Sequence, residues 1–541
     1  MIDPSRARRG LLELLLLPVF LACGGDNDAD SDRTDGSPHR GGTLVIGGPN
    51  DLGGLNALVA TESYTQEIIA HALFLPLLRM DEAGSYVPAL AREWEWDGDT
   101  AVTFRLRDDV RWHDGTKTSA WDVAFTFERA VDPATAFPNA ADLAPWTRVS
   151  VTDSFAVRFS VEPHVEPLLA WVFLPIMPRH ALDSIPAART QRAAFNYAPV
   201  GNGPFRFVEY RAGDRWVFEA NEDFPAGLGG RPWLDRVVWR VIPENSAQVT
   251  ELRTGGVDLI LSPRAEDLAL LEAESGIRAI IKPSRQYQFI GWNGARKPLA
   301  DARVRRALSL AIDRAEILEV LRGGHGTLAA GPIDPSHWAY PDSVQPLPFD
   351  TGAARALLAE AGITDRNGDG ILDLPAGRPF DIELKIPANS AFNRDLAQIL
   401  QSDLAAIGVR VSIRTTEFAT LINDISSPAR NFDAVQMAWD ADLRLNLRDT
   451  FHSNAIGGPY QLASYGNAEV DALLDSLTGL DDRAAALPRW HRIQSILRDD
   501  QPWTFLWYVP NLYAARDRVQ GIHMDVRGAF TGIAGWWIDV P

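Results

Sequence analysis

One cysteine occurs in 541 residues, and its position decides how the rest of the chain must be held together. Cys23 directly follows an apolar run, residues 10–22, which is preceded by Arg6, Arg8 and Arg9. A basic start and a short apolar segment make an export signal, and the run is too short to span a bilayer comfortably. A cysteine immediately after Ala22 has the spacing of a bacterial lipobox, in which the thiol takes lipid and becomes the first residue of the mature chain. Glu13 interrupts the run, and Phe20-Leu21 replaces the commoner Leu-Ala or Leu-Ser, so two other readings stay open: an ordinary cleaved signal with a stray cysteine, or a buried free thiol. On the lipobox reading the body folds outside the cytoplasmic membrane, in the periplasm or at the cell surface, anchored through Cys23. No thiol is then left for a disulfide. Removal of residues 1–22 leaves about 519, too many for one core, so two or three domains are expected.

The formal net charge is −19, and almost all basic residues are arginine. So acidic a surface repels nucleic acid and anionic lipid, and it neither requires nor forbids a cationic partner. Seventeen tryptophans must lie mostly in the core, with a few available as apolar walls for a ligand. No second stretch approaches the ~20 apolar residues of a transmembrane helix. Residues 23–40 are nearly devoid of apolar side chains and read as a flexible tether.

Order begins near residue 41 with a strand, and from Pro88 onward strands alternate with helices, which makes this an α/β chain. Residues 101–107 alternate apolar and polar, as do Phe155, Val157, Phe159 and Val161, so both are half-buried strands. Ser119 and Asp122 open a helix in capping-box fashion. Asp301 caps a helix whose stripe is Val304, Leu308, Ala311, Ile312 and Ala315. Another helix starts near Asp350 and stops at Gly362. Further on, the strand 380–386, the stripe Phe392, Leu396, Ile399, Leu400, Leu404, Ile407 with Gly408 behind it, and the strand 409–413 form a βαβ unit, which predicts a parallel sheet.

Catalytic signatures are scarce. No Gly-Lys pair exists, so a Walker loop is excluded, and there is no His-Glu-x-x-His, Cys-x-x-Cys or Gly-x-Ser-x-Gly. His113, in Trp112-His113-Asp114-Gly115, reads as a structural histidine in a turn. Asp365-Arg366-Asn367-Gly368-Asp369 has the acidic spacing of a calcium loop, with Asp365, Asn367 and Asp369 as candidate ligands. Ala376 stands where the bidentate Glu belongs, and a polar turn gives the same letters. No cofactor is expected.

Five stretches, in order, resemble the family 5 extracellular solute-binding proteins of ABC importers, the dipeptide- and oligopeptide-binding group. The first is Val87-Pro88-Ala89-Leu90-Ala91-Arg92-Glu93-Trp94 with Arg111-Trp112-His113-Asp114-Gly115 and Asp122-Val123-Ala124-Phe125. The second is Pro199-Val200-Gly201-Asn202-Gly203-Pro204-Phe205. Trp292-Asn293 with Asp301-Ala302-Arg303-Val304-Arg305-Arg306-Ala307-Leu308 is the third. Residues 353–362 and Ser464-Tyr465-Gly466-Asn467-Ala468-Glu469-Val470-Asp471 complete the set. The resemblance implies a two-lobed periplasmic-binding-protein fold of the three-domain type II class, with a ligand cleft between the lobes. It places domain I at 41–84, 199–290 and 512–541, domain II at 85–198, and domain III at 291–511, with hinge crossings near 290 and 511. It implies a non-enzymatic monomer that hands a peptide or other small polar ligand to a permease driven by an ATPase. The membrane is touched through the lipid only, and nucleic acid is not a partner.

The same resemblance supplies candidate ligand contacts. In peptide-binding relatives an Asp shortly after a strand holds the peptide ammonium, and Asp442 falls at that position, with Trp439 and Asp440 beside it. Trp292 and Asn293 lie at the interlobe crossing; Asn293 bonds ligand or fixes the hinge strand. Glu62, Ser63, Tyr64, Asn389, Tyr460 and Gln461 follow by position. Dipeptide-binding relatives also carry an Arg just before the helix of the βαβ unit, gripping the peptide carboxylate. Here Ile386-Pro387-Ala388-Asn389-Ser390 contains none, and Arg394 lies inside the helix. A dipeptide clamp is therefore not expected. Longer peptides remain open, as do oligosaccharides, opines, metal chelates and antibiotics. A secreted hydrolase or a sensor lipoprotein on the same scaffold are the competing classes.

Overall fold

Strands drawn from distant parts of the chain build a seven-stranded sheet. Its order is Ile277–Lys282, Asn511–Arg516, Leu259–Leu261, Thr43–Gly48, Arg236–Val241, Arg215–Ala220, Phe205–Arg211. The computed structural model describes residues 37–162, 167–388, 390–441, 443, 445–478, 480 and 482–539, and residues 38–540 form one unit. The leader, Cys23 and most of the tether lie outside the described residues. At the centre of the sheet Thr43–Gly48 pairs in parallel with both Arg236–Val241 and Leu259–Leu261. Leu44 and Ile46 are fully buried there, as a central strand covered on both faces requires.

A second, six-stranded sheet runs Thr327–Leu328, Trp503–Tyr508, Gln286–Trp292, Ala434–Asp440, Asp381–Pro387, Arg410–Thr416. Asp381–Pro387 pairs in parallel with Arg410–Thr416 across the helix Ala391–Ala406, the βαβ unit read from the stripe. Leu396, Leu400, Leu404 and Ile407 are buried beneath it. The helix capped by Asp301 is shorter than its stripe. It spans Ala302–Leu310, and a new helix, Arg314–Arg322, begins after Asp313, whose carboxylate accepts the Glu316 N–H at 3.0 Å. An aspartate inside an apolar stripe offers its oxygen to the next turn and restarts the helix there.

These sheets define two lobes. Four apolar clusters fill the molecule, and none contains residues from both sheets. Region 85–198 carries its own four-stranded sheet, Ala91–Asp97, Ala101–Leu106, Ala156–Val161, Trp146–Asp153, yet shares one continuous core with the first lobe. The strand Gln286–Trp292 belongs to the second sheet. The chain therefore changes lobe at 283–285 rather than near 290, and returns at 509–510. The strand Gln286–Trp292 gave no sign in the sequence of which sheet it would join.

The stretch 201–203 has a steric reason. It wraps the end of the helical segment 63–73: the Asn202 and Gly203 amides donate to the Leu73 carbonyl at 3.0 and 2.8 Å, and the Asn202 side chain accepts the Leu75 N–H at 2.8 Å. A Cβ on Gly201 would stand 2.1 Å from the Leu73 oxygen, a main-chain atom that cannot step aside. His113 locks the same turn, accepting the Gly201 N–H on Nδ1 at 3.2 Å and meeting the Gly203 carbonyl through Nε2 at 3.1 Å. Burial holds its pKa down to about 4, so it is neutral and structural, as the sequence indicated. Gly201→Ala is expected to cost more than about 3 kcal/mol in chemical denaturation. Gly213→Ala, in an open turn with positive φ, should cost about 1 kcal/mol. Equal costs would show that the close approach at Gly201 is not the constraint.

Candidate functional site

The two crossings lie side by side. The Val509 N–H donates to the Gln286 carbonyl at 2.8 Å, and the Ser284 hydroxyl donates to the Val509 carbonyl. Register then fixes what faces what. In the first lobe, Leu261 at the end of its parallel strand pairs with Tyr513 near the start of the returning strand, and Lys282 pairs with Asn511. In the second, Asp440 at the end of its strand pairs with Gln286, and Tyr287 pairs with Tyr508. Both crossings thus join the carboxyl ends of the two parallel strand sets. Those ends look at each other across a cleft, where open α/β sheets place their ligands.

On the first lobe the cleft is bordered by helix Ser63–Ile68, which continues into a π-turn, Ile69–Leu73. Such turns are frequent at functional sites. Glu62 caps the helix, its carboxylate accepting the Thr65 N–H at 2.7 Å. Tyr64 bonds Ser262 between hydroxyls at 2.9 Å, just past the strand Leu259–Leu261. Ser63 is exposed. One turn on, the Glu67 carboxylate accepts the Ala529 and Phe530 N–H groups at 2.6 and 3.2 Å. Desolvation, aided by Glu62, outweighs those two bonds and the attraction of Arg285, and pushes its pKa up to about 7. His71 is one further turn along the same face, held neutral with a pKa near 3 by burial and by Arg79 and Arg527. Arg285, on the crossing itself, donates to the Val526 carbonyl at 3.2 Å and the Ala441 carbonyl at 2.6 Å, tying a cleft loop of each lobe to the hinge.

On the second lobe the sequence candidates separate. Trp439 is partly exposed, 6.1 Å from the Tyr460 ring in a T-shaped contact, and Tyr460 is 54% exposed, an aromatic wall available to a ligand. Asp440 is exposed and accepts the Gln286 amide at 3.1 Å. Asp442 and Asn389 lie outside the described residues. Three candidates are corrected to internal roles. Trp292 is buried with its indole N–H on Thr504 at 2.8 Å. Asn293 is fully buried, donating to the Phe432 and Arg430 carbonyls and accepting the Ala295 N–H. Gln461 is buried against the main chain of Tyr465. Each spends its polar atoms inside the lobe. For Asn293 that is the strand-fixing alternative.

Sequence reasoning did not reach Glu67, His71, Arg79, Arg285 or Ser262. A signal existed for the helix: Tyr64, Glu67 and His71 recur at helical spacing along the segment 63–73. In the loop considered for calcium, Asp365 accepts the Gly368 and Gly370 N–H groups at 2.7 and 2.9 Å, and Asn367 bonds Asp369, the pattern of a polar turn. Among the described residues the one trio of His and carboxylates near enough to share an ion is Glu82, His523 and Asp525, and Asp525 is already paired with Arg527.

The lobes also meet at the cleft rim. Arg483 of the second lobe donates to the Ala83 and Gly84 carbonyls of a first-lobe turn, the latter at 2.7 Å, and stacks on Trp338 at 5.0 Å. Removing it should favour the open form. Arg483→Ala is expected to raise the radius of gyration of ligand-free protein in small-angle scattering and to weaken ligand affinity by roughly three- to tenfold; an unchanged scattering curve would rule the latch out. Glu67 gives a pH prediction. Its folded pKa of about 7 lies above the ordinary glutamate value of 4.5, so the folded chain holds the extra proton, and this group's contribution is present below pH 4.5 and is lost as pH rises through about 7. Glu67→Gln stays neutral, so the variant should gain on the wild type by roughly 1–2 kcal/mol between pH 5 and 8, allowing for partial exposure. Parallel stability curves for the two proteins would refute it.

Comparison with known proteins places this architecture. The profile of the bacterial extracellular solute-binding proteins, family 5, matches residues 85–465. The oligopeptide-binding protein AppA of Bacillus subtilis is 30% identical over 97% of both chains. Heme-binding protein A of Haemophilus influenzae is 29% identical, covering 83% of this chain and 84% of its own. The structure of B. subtilis AppA in complex with a nonapeptide superposes with a TM-score of 0.73, covering 93% of this chain and all of that one. The chain belongs to the bacterial extracellular solute-binding proteins of family 5, which bind their ligand and do not transform it.

Proposed function

We propose that this chain is the lipid-anchored receptor of an ABC importer that captures oligopeptides between its lobes and delivers them to a membrane permease and its ATPase. The observation that carries the reading is the cleft itself: two parallel strand sets facing across a two-stranded hinge, in a chain similar over nearly its whole length to an oligopeptide-binding protein. Ligand binds where both lobes touch it, so it has higher affinity for the closed form and shifts the population toward closure. Asp442 is the proposed partner of the peptide ammonium, with Asp440, Trp439 and Tyr460 on the second lobe and Ser63 and Tyr64 on the first. A charge-assisted bond to a carboxylate in a closed cleft is strong. Cys23 carries the anchor, and the receptor works as a monomer outside the cytoplasmic membrane. No helix among the described residues is long and apolar enough to cross a membrane. The similarity to a protein named for heme keeps a non-peptide ligand as the second reading.

Native mass spectrometry of the protein purified without denaturation, followed by denaturing release, tests the proposal. A ladder of peptide masses is expected, and Asp442→Ala should abolish their retention. Release of a single non-peptide mass would replace the peptide reading by that ligand's class.

A further inference from the structure

Region 85–198 carries a concavity of its own. A cavity of about 590 Å³ opens between the turn 114–119, the first turn of helix Ala120–Val131 and the short helix Arg179–Leu182. None of its lining residues belongs to the strand ends or crossings that frame the cleft. Trp121 lines it, together with Lys117, Asp122, Arg179 and Asp183. Of the seventeen tryptophans Trp121 is the most exposed, at 52%. The core does not use it: Val123, Phe125, Phe127 and Ala130 of the same helix fill that role. The ring is held in place all the same, because the Arg179 guanidinium lies 5.9 Å from its centroid. A cation–π contact fixes the indole before anything arrives, so a ligand lying on it pays little to order the site.

The polar groups around the ring divide into occupied and free. Asp122 is occupied: its carboxylate accepts the Ser119 N–H at 2.8 Å, the Ser119 hydroxyl at 3.0 Å and the Arg179 N–H at 2.9 Å. Asp114, behind His180, is taken by the Thr116 N–H at 3.0 Å and by His180 Nε2 at 2.7 Å. Lys117 is free to donate; among the described residues its ammonium meets only the Phe155 ring, 5.6 Å from the centroid. The Arg179 guanidinium is free as well, since its one ion pair, with Asp183 at 3.7 Å, is too long for a hydrogen bond. The Asp183 carboxylate accepts from no other described residue. Open donors and an open acceptor thus stand side by side at the rim. The two cations lining the cavity are matched by its two carboxylates, so an ion gains no net attraction there. Such a rim favours a neutral ligand whose polar groups both donate and accept.

We propose that this cavity binds a pyranose ring of a neutral glycan, stacked on Trp121 and hydrogen-bonded at the rim. The site goes beyond the importer reading and is independent of what the cleft holds. One face of a pyranose is carbon and hydrogen, and it lies on an indole whose face is the negative side of the ring quadrupole. Each hydroxyl at its edge donates and accepts, so one reaches Asp183 while its neighbour takes a hydrogen from Arg179 or Lys117. An apolar ligand would leave those groups unanswered, and an anion would meet Asp183 as well as the cations. The same sugar chemistry comes from two sources, a free oligosaccharide or a glycan fixed in the cell envelope, and the test separates them.

The experiment offers the purified protein two neutral probes, cellotetraose and chitotetraose, read by saturation-transfer NMR, and sediments it in parallel with insoluble cellulose and chitin. Wild type should bind one of the two sugars in soluble or insoluble form. Trp121→Ala should weaken that binding by roughly fivefold or more, and Asp183→Asn by a smaller factor. Both side chains are exposed, so both variants should melt with the wild type, and native mass spectrometry should find the ligand retained in the cleft unchanged. Binding of a soluble probe that Trp121→Ala weakens assigns the site to a free oligosaccharide. Sedimentation without soluble binding, lost in Trp121→Ala, assigns it to a fixed glycan. Sugar binding that persists undiminished in Trp121→Ala lies elsewhere in the molecule and overturns the site. Binding of neither sugar in either form overturns it as well, whatever the cleft releases.

Discussion

Everything in the cleft depends on two short segments that cross between the lobes and bond to each other. Residues 283–285 and 509–510 are adjacent, fixed by the Val509 N–H to the Gln286 carbonyl and by Ser284. Because the strands on either side run in register from those points, the carboxyl ends of both parallel sets face one another by topology. The apolar clusters respect the same boundary, each lying wholly within one lobe. Rotation about the crossings therefore exposes no core. It costs only rim contacts such as Arg483 on the Ala83–Gly84 turn, which a ligand touching both lobes replaces.

Polar groups in the first-lobe cleft are graded. Near the hinge, Glu67 accepts two main-chain amides one turn from Tyr64, and one turn farther along the same helical segment burial and two arginines hold His71 neutral. The chain's net charge of −19 says nothing of this, because a surface average does not report how deeply each group is buried.

Periodicity made much of the fold legible. The stripe from Phe392 to Ile407 and its flanking strands gave the parallel βαβ unit, and Ser119 with Asp122 gave a capping box that the structure contains. Polar letters misled where their role depended on depth. Asn293 and Gln461 carry groups suited to ligand, yet both are turned inward and spent on main-chain partners, a choice made by tertiary packing alone. Trp292 likewise stood among the candidate contacts at the interlobe crossing and serves as core. Glu67 was invisible for the opposite reason. Glutamate is common in this chain, and only three-dimensional neighbours reveal which one is desolvated.

Absence of disulfides and the stiffness of the lobes are connected. With no cysteine after residue 23, each lobe must hold its shape by burial, and the large aromatic side chains serve that end. Phe104, Phe127, Phe159, Trp146 and Trp171 interlock in the first lobe, and Phe289, Trp439 and Trp503 in the second, with ring centroids between 4.1 and 6.4 Å apart. Trp439 is the member of the second group that reaches the surface, so the ring offered to ligand is braced from behind by core rings. A wall held in place before ligand arrives loses little side-chain entropy on binding, and closure energy goes into the contact rather than into ordering the site.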